Sequence, residues 1–212
     1  MRQTVKSVSR VTIAVTMLVG LTTAASAAPV SILNPGFEAP VIGDSAALFS
    51  LTDWVSSGDA GTFNPHAAAF ATGAPEGQNV AFASHGSPTI SQVLSATAQA
   101  NTLYTLTMLV GNRLDADFGG YQTELWAGGT MLAQDNGSLF PADGQFLMST
   151  VQYFVAAGDA EAGSALEIRF RSLGFQTVFD DVRLDATKRV PEPALLALLG
   201  LGGVAVARRR RR

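Results

Sequence analysis

The chain of 212 residues has no cysteine, which excludes disulfides, thiolate metal sites and cysteine nucleophiles. Its only histidines are His66 and His85. They lack metal-ligand spacing, and no GxSxG-type nucleophile motif accompanies them. Glycine-rich phosphate loops, heptads and internal repeats are also missing. Carboxylate pairs of the kind that hydrolyse glycosides exist in any acidic chain, and spacing alone places none across a scissile bond. These absences give the expectation of a non-catalytic protein, with a glycoside hydrolase as the least favoured alternative.

What is present is concentrated at the two ends. Arg2, Lys6 and Arg10 precede an apolar run at 11–21 and the small-residue site Ala25-Ser26-Ala27, the order of an exported protein's signal segment. Signal peptidase is therefore an expected partner, with residues 1–27 removed. At the other end Val190, Pro191, Glu192 and Pro193 are followed by an uninterrupted apolar stretch at 194–207 and five arginines at 208–212. A run with no polar face predicts a helix buried in lipid or protein, closed by a cationic anchor. Fourteen residues at ~1.5 Å each span only ~21 Å, short of the ~30 Å hydrocarbon core. Such a tail suits a temporary hold.

The tail resembles the PEP-CTERM family of exported bacterial proteins, whose C-terminus is recognised and removed by an exosortase. The resemblance implies an exosortase as partner, brief anchoring in the inner membrane, and final placement at the cell surface or in the extracellular matrix of a biofilm. The sorting tail occupies 190–212, leaving 28–189 as one domain. That domain keeps 6 basic residues against 16 acidic ones, a net charge of −10. The balance opposes nucleic acid as a partner.

Between the ends, short segments alternate in polarity and are separated by Gly, Pro, Asn and Asp. Strands are expected at 30–33, 48–55, 79–84, 89–94, 103–110, 121–127, 130–134, 146–155, 165–171 and 177–184. Tyr104, Leu106, Met108 and Val110 share one face, as do Leu166, Ile168 and Phe170. Ten such half-buried strands predict an all-β, antiparallel β-sandwich. Residues 57–78, rich in Gly, Ala and Pro, read as a long surface loop.

Leu33-Asn34-Pro35-Gly36-Phe37-Glu38 with Trp54, and Phe179-Asp180-Asp181-Val182-Arg183-Leu184, resemble jelly-roll domains of the galactose-binding-like superfamily, which includes carbohydrate-binding modules. The resemblance implies a structural calcium shared by Glu38 and Asp180. Regular alternation places Asp180 on one face with Val178, Val182 and Leu184, where a carboxylate needs a cation, a hydrogen-bond cluster or a proton. Calcium takes six to eight oxygens. The alternative is a pair of carboxylates capping backbone amides. Asp181 falls on the other face, beside a cation.

The family likeness also implies polysaccharide as ligand. Trp126, expected outside on the polar face of its strand, is the candidate platform, and Trp54 reads as core. The segment 111–121 is dense in polar groups, so Asn112, Arg113, Asp115 and Tyr121 are the candidate carbohydrate contacts, with Asp117 beside them. The alternative there is an Arg–Asp surface pair in a hairpin connection. The expectation is an exported matrix protein that binds polysaccharide; a structural or adhesive protein recognising other proteins is the second class.

Overall fold

The computed structural model describes residues 26–189. The signal segment, apart from its last two residues, and the apolar helix with its VPEP motif lie outside the described residues. Among the described residues no helix is long and apolar enough to cross a membrane.

Twelve strands are present: β1 (Ala27–Pro29), β2 (Ala47–Leu48), β3 (Val55–Ser56), β4 (Asp59–Phe63), β5 (Val80–Ser84), β6 (Thr89–Thr97), β7 (Thr102–Asn112), β8 (Tyr121–Ala127), β9 (Thr130–Asp135), β10 (Gln145–Val155), β11 (Ala165–Ser172) and β12 (Gln176–Lys188). Sheet A runs β10-β7-β12-β5-β4-β2, with β1 also paired to β12; sheet B runs β3-β6-β11-β8-β9. The ladders between them are antiparallel. The expected all-β sandwich is therefore observed, as a jelly roll.

The alternating strands form as their pattern requires. Leu106, Met108 and Val110 from sheet A meet Leu125, Ile168 and Phe170 from sheet B in one dry core, each fully buried side chain contributing ~1.5–3 kcal/mol. Trp54 is buried there against Phe37, ring centroids 5.5 Å apart, and its indole N–H donates to the Asn34 carbonyl at 3.0 Å. At Gly128-Gly129 both residues have positive φ (56° and 85°), which the tight β8–β9 hairpin needs.

Three segments depart from the sequence pattern. The first strand lies at Ala27–Pro29 and not at 30–33. The run 48–55 is not one strand, because β2 joins sheet A and β3 joins sheet B; the chain crosses between the sheets, burying Leu51 and Trp54 on the way. The supposed loop 57–78 contains β4, whose last four residues are all buried. With both faces covered, β4 has no polar alternation to reveal it. The remainder, 64–78, lies over the outer face of sheet A, where Phe70 and Ala69 pack with Phe63, Val80, Phe82 and Val178 in a second apolar cluster.

A bulge in β12 changes the facing of the DDV motif. Pairing with β7 shifts register between Asp180 and Arg183, and Asp181 has φ 49°. Phe179, Val182 and Leu184 therefore enter the central core, while Val178 belongs to the outer cluster. Asp180 does not share a face with Val182 and Leu184, because the extra residue inverts the alternation between them. Asp181 pairs with Arg183, whose Nε donates to it at 2.8 Å.

Candidate active site

Three strand ends of sheet A meet at one pole: Asp59 begins β4, Ser84 ends β5 and Gln176 begins β12, with Ser84 registered opposite both others. Beside them Phe49, Phe63, Phe82 and Phe175 wall a cleft of about 380 Å³. Phe49 stands edge-on to Phe82, centroids 5.4 Å apart at 90°, and is 73% exposed. An aromatic left this open on a strand-end surface provides an exposed apolar wall. His85 packs edge-on to Phe175 at 4.5 Å, and its Nδ1 lies 3.3 Å from an Asp59 carboxylate oxygen.

The segment after β7 forms the opposite wall. Arg113 donates through Nε and Nη2 to the two Asp115 oxygens at 2.8 and 2.7 Å, and through Nη1 to Gln176 Oε1 at 2.8 Å. Its guanidinium carbon sits 4.7 Å from the Phe63 ring centroid. Hydrogen bonding from Arg113 holds the Asp115 carboxyl below the usual carboxylate range, against the opposing effect of burial. His66 Nε2 lies 3.6 Å from Asp115. Past this ridge a second, polar cleft of about 510 Å³ opens, lined among others by Asp117, Asp143 and Asp115. The pole thus combines an aromatic cleft, a polar cleft, two carboxylate–histidine pairs and a fixed cation.

Of the five candidate carbohydrate contacts, Asn112, Arg113 and Asp115 line the polar cleft together, whereas Tyr121 and Trp126 lie elsewhere. Arg113 and Asp115 reach the clefts as the Arg–Asp pair that was the alternative reading. Asn112 is buried and staples the turn at 141–143, its Nδ2 donating to the Pro141 carbonyl and Asp143, both at 3.0 Å. Tyr121 lies inside the central core, with its hydroxyl bound to Asp135. Its ring faces inward because β8 begins at Tyr121 on the inner face, so it offers nothing to a ligand. Trp126 is on the outer face of sheet B, away from the others.

That outer face carries a second ordered row. Gln122, Glu124 and Trp126 of β8 stand opposite Arg171, Arg169 and Glu167 of β11. The Trp126 N–H donates to Glu124 at 2.6 Å, and the Arg169 guanidinium carbon lies 3.9 Å from the indole centroid. Bidentate donation to Glu167 at 2.7 and 2.8 Å fixes Arg169 there. One indole face is therefore already stacked, and the row lines a depression of about 260 Å³.

Glu38 and Asp180 meet at the turn 76–79. Asp180 is fully buried, accepting from the amides of Glu76 at 3.0 Å and Asp181 at 2.7 Å. Burial pushes its acid up to about 8 despite those bonds. Glu38 accepts from the amides of Gln78 and Asn79 at 2.9 and 2.8 Å. The carboxylates thus cap backbone amides, the alternative foreseen for them. A test for calcium gives hard oxygen donors: two carboxylates and Asn79 Oδ1, which is buried without a hydrogen-bond partner. No group of three His, Cys, Asp or Glu suited to a metal occurs among the described residues, so a cation here would draw on amide and main-chain oxygens.

The fold and the pole define an all-β sandwich with an aromatic strand-end pocket holding acid–base pairs. The chain belongs to the HpiC1-like family, described as HpiC1 cyclase, which matches residues 28–185. The PEP-CTERM protein-sorting motif matches 189–212, so the protein is exported and sorted to the cell surface by an exosortase. An apo cyclase from Fischerella sp. is 29% identical, with TM-score 0.71 over 78% of this chain and 99% of its own. The cyclase FisC from Fischerella sp. TAU, solved with (3Z)-3-(1-methyl-2-pyrrolidinylidene)-3H-indole, gives the same identity and score over 77% and 100%. The carbohydrate-binding module TmCBM61 with beta-1,4-galactotriose is 15% identical, TM-score 0.47, over 72% and 95%. A comparison with curated proteins finds no match.

The expectation of a non-catalytic protein is therefore corrected: its family is one of cyclases, which are enzymes. Sequence reasoning reached Arg113 and Asp115 and missed the rest of the site, because its other acid, its imidazoles and its rings come from segments far apart in the chain. The one further signal available was the pair of histidines, each placed near an aspartate only by the fold.

Proposed function

We propose that the protein is an exported cyclase that closes a ring on an indole-like substrate held in the aromatic cleft of sheet A. The observation that carries this is the juxtaposition of Phe49, Phe63, Phe82 and Phe175 with the Asp59–His85 and Asp115–His66 pairs. Support comes from the Fischerella sp. TAU cyclases, solved with indole compounds. A ring closure that begins with proton addition and ends with proton loss conserves every atom and needs no redox partner. It needs an acid, a base and a wall that tolerates a transient cation.

The cleft supplies each. Imidazole is the side chain suited to proton exchange near neutrality, so His85, oriented by Asp59, delivers the proton. Phenylalanine faces stabilise the cation that forms. Asp115, kept ionised by Arg113, adds negative potential and with His66 accepts the departing proton. Arg113 is itself pinned by three partners and serves as a positioning residue. The polar cleft beyond the ridge takes the substrate's hydrogen-bonding end. Titrating 4-(1H-indol-3-yl)butan-2-one into the mature domain while recording aromatic and imidazole NMR signals tests the location. Shifts at Phe49, Phe175 and His85 are expected; shifts confined to sheet B would remove this reading.

A second reading concerns polysaccharide, and the row on sheet B favours it: an indole edge, one amide, two carboxylates and two guanidiniums lie in register on the outer face of that sheet. Sugar hydroxyls match such alternating donors and acceptors. For the calcium site we place Glu38, Asp180 and the unpartnered Asn79 Oδ1 as ligands, where the ion would neutralise the buried acid and brace the turn 76–79. Removal of the signal segment by signal peptidase during export and a brief hold in the inner membrane complete the proposal.

A further inference from the structure

We propose that the domain stands with its aromatic and polar clefts turned away from the membrane, so that the tail-held precursor already presents the same open site as the released product. This rests on the sorting tail being membrane-held and is independent of what the clefts bind.

Register fixes where both ends of the domain leave it. Ala27 of β1 lies opposite Thr187 of β12, so the junction with the signal segment and the junction with the sorting tail are neighbours at one pole. The sorting motif begins at residue 189, directly after β12 ends at Lys188. Arg189 is held against the body: its amide donates to the Asn101 carbonyl at 2.8 Å, and its guanidinium carbon lies 5.5 Å from the Phe154 ring centroid. Thr102 of β7 pairs with both Val155 and Lys188, so the start of β7 and the end of β10 belong to this same pole.

The clefts occupy the other one. Gln176 begins β12, Asn112 ends β7, and both line the clefts. The 13 residues of β12 at ~3.3 Å each put about 40 Å between the poles. From Arg189 to the apolar run only Val190, Pro191, Glu192 and Pro193 intervene. Four residues reach at most about 14 Å. The tether is too short for the domain to turn over and point its far pole at the bilayer. A domain charge of −10 further opposes lying flat on an anionic leaflet.

The absence of cysteine makes a clean test. Single substitutions Ala160→Cys, in the turn between β10 and β11, and Leu173→Cys, exposed between β11 and β12, accept one fluorophore each. The labelled full chain is placed in phosphatidylglycerol–phosphatidylethanolamine vesicles containing a rhodamine lipid. Energy transfer from position 160 should exceed that from 173 severalfold, and iodide quenching at 173 should not change when the tail is removed. Equal transfer, the reverse order, or none from either label overturns the proposal. So does iodide protection at 173 that the tail confers.

Discussion

Glu38 and Asp180, 142 positions apart in sequence, hold opposite ends of a single turn, Asp180 accepting from the Glu76 amide and Glu38 from the amides of Gln78 and Asn79. The turn thereby ties the entry segment of the domain to its last strand, and it secures the segment 64–78 that covers sheet A. Phe63 and Phe82 in that covered cluster are also walls of the aromatic cleft.

The Asp180 acid gives stability a pH dependence whose sign is fixed. Burial raises it to about 8 in the folded protein, whereas an unfolded-chain aspartate titrates at about 3.9. Between those values the folded chain keeps a proton that the unfolded chain has lost. In calcium-free buffer the contribution is complete below about pH 4 and declines by at most ~1.4 kcal/mol per unit toward pH 8. Denaturant melts from pH 4 to 9 measure it; Asp180→Asn should flatten the profile.

Calcium competes with that proton. If Glu38, Asp180 and Asn79 hold the ion, millimolar calcium should raise the melting temperature of chelator-stripped domain more at pH 8.5 than at pH 6. Glu38→Gln and Asp180→Asn should each abolish the increment. An unchanged melting temperature at both pH values removes calcium from the site.

Gly61 sits in the middle of β4, where an added Cβ would lie 1.9 Å from the Leu48 carbonyl oxygen. The clash is with backbone, so Gly61→Ala should push β2 off the sheet at a cost of ~1–3 kcal/mol. Phe49, next to Leu48, would lose its place over Phe82. Chemical denaturation measures the first effect and weakened indole binding the second.

On sheet B, Trp126→Ala removes the indole that Arg169 covers and Glu124 bonds. Retardation on polysaccharide-containing gels should fall at least severalfold if that face binds glycans, with binding in the sheet A cleft unaltered. Retention equal to the native protein's would leave the row as surface packing alone.

The strands were readable wherever one side met the core and the other met water, as in β7 and β11. They were not readable at β4, whose residues 60–63 are buried on both faces, nor across the bulge at Asp181, because alternation carries no signal in either situation. Arg113 and Asp115 were visible as a polar pair two residues apart. Their partners Phe63, His66 and Gln176 were invisible, since only the antiparallel return of β12 beside β5 and β7 brings them within reach. Asn112 and Tyr121 looked equally available in the sequence; Asn112 staples a turn at the edge of the polar cleft, and Tyr121 faces the core.

Ring closure in the sheet A cleft is most directly tested by turnover of an indole carrying a pendant alkene, monitored by liquid chromatography and mass spectrometry. A product of unchanged mass and new retention is predicted, formed at least ~10-fold more slowly by His85→Ala and more weakly bound by Phe175→Ala. Conversion that survives both substitutions at the native rate, or a native protein that binds the compound and leaves it unchanged, would contradict the assignment.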